Sequence, residues 1–237
     1  MAGRVFGHLV LLCLGMLAAA HPALAQAPLA PSAGPFTVVL DVAHGGDDAG
    51  ATLQPNPAAN PATEPEKILV LAFSQRLRAL LQARGMVVVT TRDADASVDA
   101  NRRAEIANRS HARLCLSLHA TQAGSGVHLF VSSLAPAPAE RLLAWKTVQA
   151  AYVTRSLSAA GSLNAALGHA SIPTTLGRIG LPGLDSMACP AVAVEIAPVL
   201  ASPHDQATPL GDLNYQTQVA DALAAAVVDW RAGAAQP

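Results

Sequence analysis

The chain has 237 residues, with 15 Lys and Arg against 16 Asp and Glu, 8 His and a formal charge of −1. One domain fits that length, the charge balance offers a nucleic acid no basic surface, and 51% hydrophobic against 13% charged residues excludes a chain disordered throughout. The mean hydropathy of +0.34 comes largely from dispersed alanine, and no apolar run reaches the roughly 18–20 residues a spanning helix needs.

Residues 1–25 combine a lone Arg4, an apolar run over 10–20 and the ending Ala23-Leu24-Ala25, the pattern of an export signal removed before Gln26. The apolar run is short for the rival reading, an uncleaved anchor. Residues 26–35, rich in Ala and Pro, read as a tether. Cys13 leaves with the signal. Cys115 and Cys189 remain, either as a pair formed after export or as buried free thiols.

Apolar runs at 36–40, 86–91, 114–118, 127–131 and 191–196 are continuous rather than alternating, as in strands covered on both faces. From Glu66, the stripe Leu69, Phe73, Leu77, Leu80 and Leu81 has helical spacing, and Gly85 supplies the stop. Helices are also predicted over 101–108, over 139–157, and along Val219, Leu223, Val227 and Trp230. The alternation defines a single-domain α/β sandwich over 36–232, with a mostly parallel or mixed sheet of about five to six strands flanked by helices. Residues 54–63 read as a surface loop, 161–190 give no clear pattern, and 233–237 form a tail.

Chemistry gathers where three strands end. The first runs through Asp41 to His44 in a Gly45-Gly46 turn, the third ends at His119, and the fifth at Glu195. In open α/β sheets the carboxyl ends of the strands line the ligand crevice, so two imidazoles and a carboxylate would meet there. Catalytic zinc takes three protein ligands and keeps a position open, and Glu66 is available to complete such a set. Each residue also has a plainer reading. His44 could be a turn residue, Glu66 could close a capping box with Thr63, and His119 could be a hydrogen-bonded core histidine. Glu195 follows four apolar residues, where a carboxylate is costly unless paired or metal-linked. His111, His169 and His204 lie in polar surroundings and His128 within a strand, which makes them weaker candidates.

Several landmarks follow one another in a recognisable order. They are Leu40-Asp41-Val42-Ala43-His44-Gly45-Gly46 with Asp47 to Ala51, Glu66-Lys67 before the leucine stripe, and Thr91-Arg92-Asp93. Arg103, Ala107-Asn108 and Ser117-Leu118-His119-Ala120 come next, followed by Gly126-Val127, the strand from Pro190 to Glu195, and Tyr215-Gln216 with Ala220. Between Val38 and Trp230 this series resembles the zinc-dependent N-acetylmuramoyl-L-alanine amidases of bacterial cell-wall turnover, the type 3 amidase family. The resemblance implies one Zn2+ per chain held by His44, Glu66 and His119, and Glu195 as the catalytic carboxylate. It implies an exported hydrolase, in the periplasm or cell envelope, that cleaves the amide between N-acetylmuramic acid and L-alanine in peptidoglycan. No stable membrane span would remain after signal removal, and a protein activator stays unidentified. Val42 and Ala43 replace the family's proline and glycine, and Thr121 its asparagine. Ile196-Ala197-Pro198 follows Glu195 in place of glycine–phenylalanine. The 22 positions from His44 to Glu66 form a long spacing, and Glu64 competes with Glu66 as the ligand. A zinc hydrolase of another amide and a non-catalytic muropeptide-binding protein are the alternative readings.

Overall fold

The computed structural model describes residues 34–54, 63–138, 143–200 and 208–234. In chain order the elements are β1 (Thr37–Val42), β2 (Thr52–Leu53), β3 (Glu64–Pro65), α1 (Glu66–Ala83), β4 (Val87–Thr90), α2 (Ala100–Arg109), β5 (Leu114–Ala120) and β6 (Val127–Ser132). A 3-10 segment at Trp145–Ala151 then leads to α3 (Val153–His169), β7 (Thr174–Ile179), α4 (Pro182–Asp185), β8 (Ala191–Ile196) and α5 (Leu213–Ala234). The predicted leader at 1–25, nearly all of the tether at 26–35, most of the 54–63 loop, His204 and residues 235–237 lie outside the described residues. Among the described residues, no helix is long and apolar enough to cross a membrane.

Six strands form one mixed sheet in the order β4-β1-β5-β8-β6-β7. β4, β1, β5 and β8 are parallel, while β6 runs antiparallel to β8 and β7 parallel to β6. Alternate residues of the central strands feed two apolar layers. Val38, Leu40, Leu116, Leu118, Val192 and Val194 belong to the larger core, together with apolar residues of α1, α3 and α5. Val39, Cys115, Ala191 and Ala193 belong to a smaller cluster with Ala104 and Ala107 of α2, Leu184, Met187 and Cys189. Burial on both faces is why these strands read as continuous apolar runs rather than as alternating ones.

Three features differ from the sequence reading. Of the helix predicted over 139–157, residues 139–142 lie outside the described residues; 3-10 turns occupy Trp145–Ala151, Thr147 leaves helical geometry, and α3 then runs to His169. The interruption lets Gln149 turn inward, where its side-chain amide donates to the carbonyls of Leu184, Met187 and Cys189. The unassigned stretch 161–190 holds the end of α3, the edge strand β7 and the short α4. β7 is largely exposed and carries Gly177, so it lacks an apolar signature. Thr63 and Glu66 form no capping box: Pro65 occupies the N-cap of α1, which has no side-chain cap bond.

Cys115 and Cys189 are joined in a disulfide that ties β5 to the segment entering β8, with Cα atoms 6.2 Å apart and a sequence separation of 74. Closing so long a loop restricts the unfolded chain, and loss of such a bond costs about 2–5 kcal/mol. Replacing both cysteines by serine should lower the urea midpoint accordingly. Reductant should do the same to the parent protein and leave the variant unchanged.

Candidate metal centre

The site begins with the turn after β1. His44 adopts φ 59°, a left-handed conformation that a non-glycine residue holds only when its surroundings impose it. Two buried arginines do so. Arg92 donates to the carbonyls of Val42 (3.0 Å), Ala43 (2.8 Å) and Lys67 (2.8 Å). Arg103 donates to the carbonyls of His44 (2.6 Å) and Val98 (2.8 Å), to that of Val42, and to Asp41 Oδ1 (2.8 Å). Asp41 also accepts from Thr91 (3.1 Å) and Ser117 (2.7 Å), which closes a buried polar network beneath the turn. Lys67 donates to the Gly46 carbonyl and to Asp95, each at 2.7 Å, and Asp95 in turn accepts from Gly46 N–H. Val42 and Ala43 are thus fixed through their carbonyls.

Glu66 reaches the same point from the opposite side. The short β2–β3 ladder pairs Thr52 with Pro65 and Leu53 with Glu64, and brings Glu66 N–H to the Ala51 carbonyl at 2.8 Å. The Glu66 carboxylate is buried and accepts from the backbone N–H groups of Ala51 and Ala120, both at 3.0 Å. His44 Nε2 lies 3.1 Å from its Oε2, and His119 Nδ1 lies 3.1 Å from its Oε1. The potential ligand atoms of His44, Glu66 and His119 all fall within 4.8 Å of one another. Glu64 is not in this group. Gly50, at φ 68°, keeps the centre open, because a Cβ there would stand 2.6 Å from the His44 ring and 2.8 Å from Glu66 Oε2.

Two imidazole nitrogens and one carboxylate converge, a donor set that would suit a catalytic zinc ion, and His44, Glu66 and His119 are the residues that would hold it. Burial pushes the Glu66 carboxyl up, but hydrogen bonds from His119, His44 and the two backbone amides outweigh it and hold the group well below its usual range. The hydrogen bond to Glu66 raises the His44 pKa against the opposing effect of burial, and Asp48 raises it further. A cation must therefore displace a proton from His44 below its raised pKa. Zinc affinity should climb as pH rises through that value, with proton release on binding, which calorimetry in buffers of different ionisation enthalpy measures. Asp48 accepts from His44 Nδ1, with both oxygens at 2.9 Å, and so fixes which ring nitrogen faces the centre. Asp48→Asn should weaken zinc binding by about 10–100-fold in a competitive chelator titration.

Glu195 stands outside the metal-ligating group but beside it. Its register partners are His119 on β5 and His128 on β6, so the three side chains share one row on one face of the sheet. A cavity of about 240 Å³ opens along this end, lined among others by His44, Asp48, Asp99, His119 and the stretch 181–184. In the sequence, Arg92, Arg103, Ser117 and Asp48 are legible only as landmarks. The signal for Asp48 was its place four residues after His44. Nothing in the sequence marked the arginines as carbonyl clamps.

A mixed α/β sheet with two imidazoles and a carboxylate gathered at the ends of its parallel strands defines a candidate single-metal site of hydrolase type. Residues 38–229 match the family described as N-acetylmuramoyl-L-alanine amidase (Amidase_3), and the chain belongs to that family of type 3 amidases. Over 89 residues it is 36% identical to N-acetylmuramoyl-L-alanine amidase AmiA of Escherichia coli K12, a match spanning 38% of this chain and 28% of that protein. The fold is that of the N-acetylmuramoyl-L-alanine amidase from Clostridium difficile 630, at TM-score 0.63 and 19% identity, covering 86% of this chain and 99% of the other. Amidase AmiC2 of Nostoc punctiforme gives TM-score 0.60 at 24% identity, covering 83% and 97%.

Proposed function

We propose that the protein is an exported, zinc-dependent N-acetylmuramoyl-L-alanine amidase, with His44, Glu66 and His119 as the metal ligands and Glu195 as the proton carrier. One observation carries the reading. In a chain of the amidase family, His44, Glu66 and His119 are assembled at the strand ends, and Glu195 stands in register beside His119. Zinc bound there would supply Lewis acidity, lowering the pKa of water towards 7 and polarising the amide carbonyl. Glu195 takes the proton of the attacking water and returns it to the leaving alanine nitrogen. Arg92 and Arg103 keep the strained His44 turn in place, and Asp48 orients the imidazole. The products are glycan strands and free stem peptides, a reaction consistent with the export signal read at 1–25 and with an envelope location.

The test is to incubate the form beginning at Gln26 with purified sacculi and zinc, and to identify the soluble products by mass spectrometry. Intact stem peptides with a free alanine amine are expected, and they should be absent after chelation. Zinc binding without peptide release would move the activity to another amide. Absence of both zinc binding and peptide release would overturn the enzymatic reading.

A further inference from the structure

β7 forms one edge of the sheet, and its outer side pairs with no strand among the described residues. Its ladder with β6 begins with Val127 N–H donating to the Pro173 carbonyl and ends with Ser133 N–H donating to the Ile179 carbonyl. In a parallel pair, alternate residues turn both of their backbone groups to the same side. Residues 173, 175, 177 and 179 therefore serve β6, while Thr174, Leu176 and Arg178 point their N–H and C=O groups outwards. Such a row is a template for another strand, and proteins blunt it with charge, proline or a bulge. The unbroken register from Thr174 to Ile179 contains neither proline nor bulge. Arg178 is the one charged residue of β7, and its guanidinium folds back onto the carbonyls of Ser132 (3.1 Å) and Leu134 (2.6 Å). Leu176, at the centre of the row, is 48% exposed. At the other edge β4 has four residues, of which only Val88 and Thr90 face outwards.

We infer that the outer edge of β7 is an interface with a second copy of this chain, paired antiparallel about a two-fold axis at Leu176. The outward groups select that register. Hydrogen-bonded pairs of an antiparallel ladder join residues that each face the other strand. A two-fold interface is self-complementary, so if one residue meets another, the reverse contact is also made. With 174, 176 and 178 facing outwards, the register that uses all three sets Leu176 against its own copy and Thr174 against Arg178. Three donors and three acceptors on each side then form six N–H···O bonds. Thr175 falls opposite Gly177, no like charges oppose each other, and the two exposed leucines cover one another. Six residues a side fall short of the about 20–30 a side of a stable complex, so the association is weak and governed by protein concentration.

The test is analytical ultracentrifugation of the form beginning at Gln26 between about 1 µM and 1 mM, the span of weak association. A monomer at the low end and a growing share of dimer at the high end are expected. Leu176→Lys sets two ammonium groups against each other on the axis and should weaken the dimer about tenfold, with a parent-like urea midpoint. Cross-linking reads the register. Cα atoms of a hydrogen-bonded antiparallel pair lie about 5.5 Å apart, a distance that a disulfide spans. Leu176→Cys should therefore give a covalent dimer on mild oxidation, and Thr174→Cys, which faces Arg178, should not. Cys115 and Cys189 are bonded to each other and leave the introduced thiol to react alone. A parent protein monomeric to about 1 mM would overturn the inference. So would a Leu176→Lys variant that dimerises like the parent, or equal cross-linking at positions 174 and 176. Slow hydrogen exchange at the Thr174, Leu176 and Arg178 amides of a monomeric parent would give the edge to another segment of the same chain, and would overturn it too.

Discussion

Glu195→Gln should retain the fold and bind zinc like the parent protein, yet release stem peptides about 10²–10⁴ times more slowly, the range ascribed to a positioned acid–base group. The substitution keeps the shape of the side chain and removes its ability to take and return a proton. Glu195 is not among the three residues whose ligand atoms cluster, so metal content should not change. The loss should appear equally in kcat and kcat/KM, because the interaction is made in the transition state rather than on substrate binding. His119→Ala provides the contrast, since activity and zinc should fall together. A Glu195→Gln enzyme within tenfold of the parent would remove this residue from the proton transfer.

Removing Arg103 should have the largest effect on stability. Its side chain is 10% exposed and pairs with Asp41 at 7%, and the same guanidinium supports Thr91 and the carbonyls of Val42, His44 and Val98. Arg103→Met leaves the Asp41 carboxylate buried without its cation, a loss of about 3–5 kcal/mol for pairs broken in this way. The urea midpoint should fall with little change in slope, and zinc affinity should fall with it because the His44 turn loses a clamp. Arg103→Lys should not restore either property: an ammonium is a point donor and cannot span acceptors that a planar guanidinium reaches at once. Asp41→Leu added to Arg103→Met should recover part of the stability, since removing both charges is less costly than stranding one. Full stability in Arg103→Met would mean that the network adds nothing to the fold.

The central strands were legible in the sequence because β1, β5 and β8 are covered on both faces, which leaves unbroken apolar runs. The same reasoning placed His119 and Glu195 at strand ends, and a crevice there follows from parallel topology. β7 was not legible because an exposed edge strand has no apolar face to display. The 3-10 interruption was hidden because its cause, Gln149, finds its partners some 35–40 residues away. Glu66 was ambiguous for a local reason: Thr63, three residues earlier, gives the spacing of a capping box, and only the β2–β3 ladder turns the carboxylate towards the histidines. Arg92 and Arg103 act on backbone carbonyls, and a carbonyl has no letter in a sequence.

The Cys115–Cys189 bond also makes the sturdiness of this molecule depend on its address. Its two sulfurs belong to segments far apart in sequence that the fold brings side by side at β5 and the entry to β8, so the bond holds those segments together. A copy retained where glutathione keeps thiols reduced would lack that lock, open more often, and be the form that proteases remove first. A copy in an oxidising compartment would keep the bond.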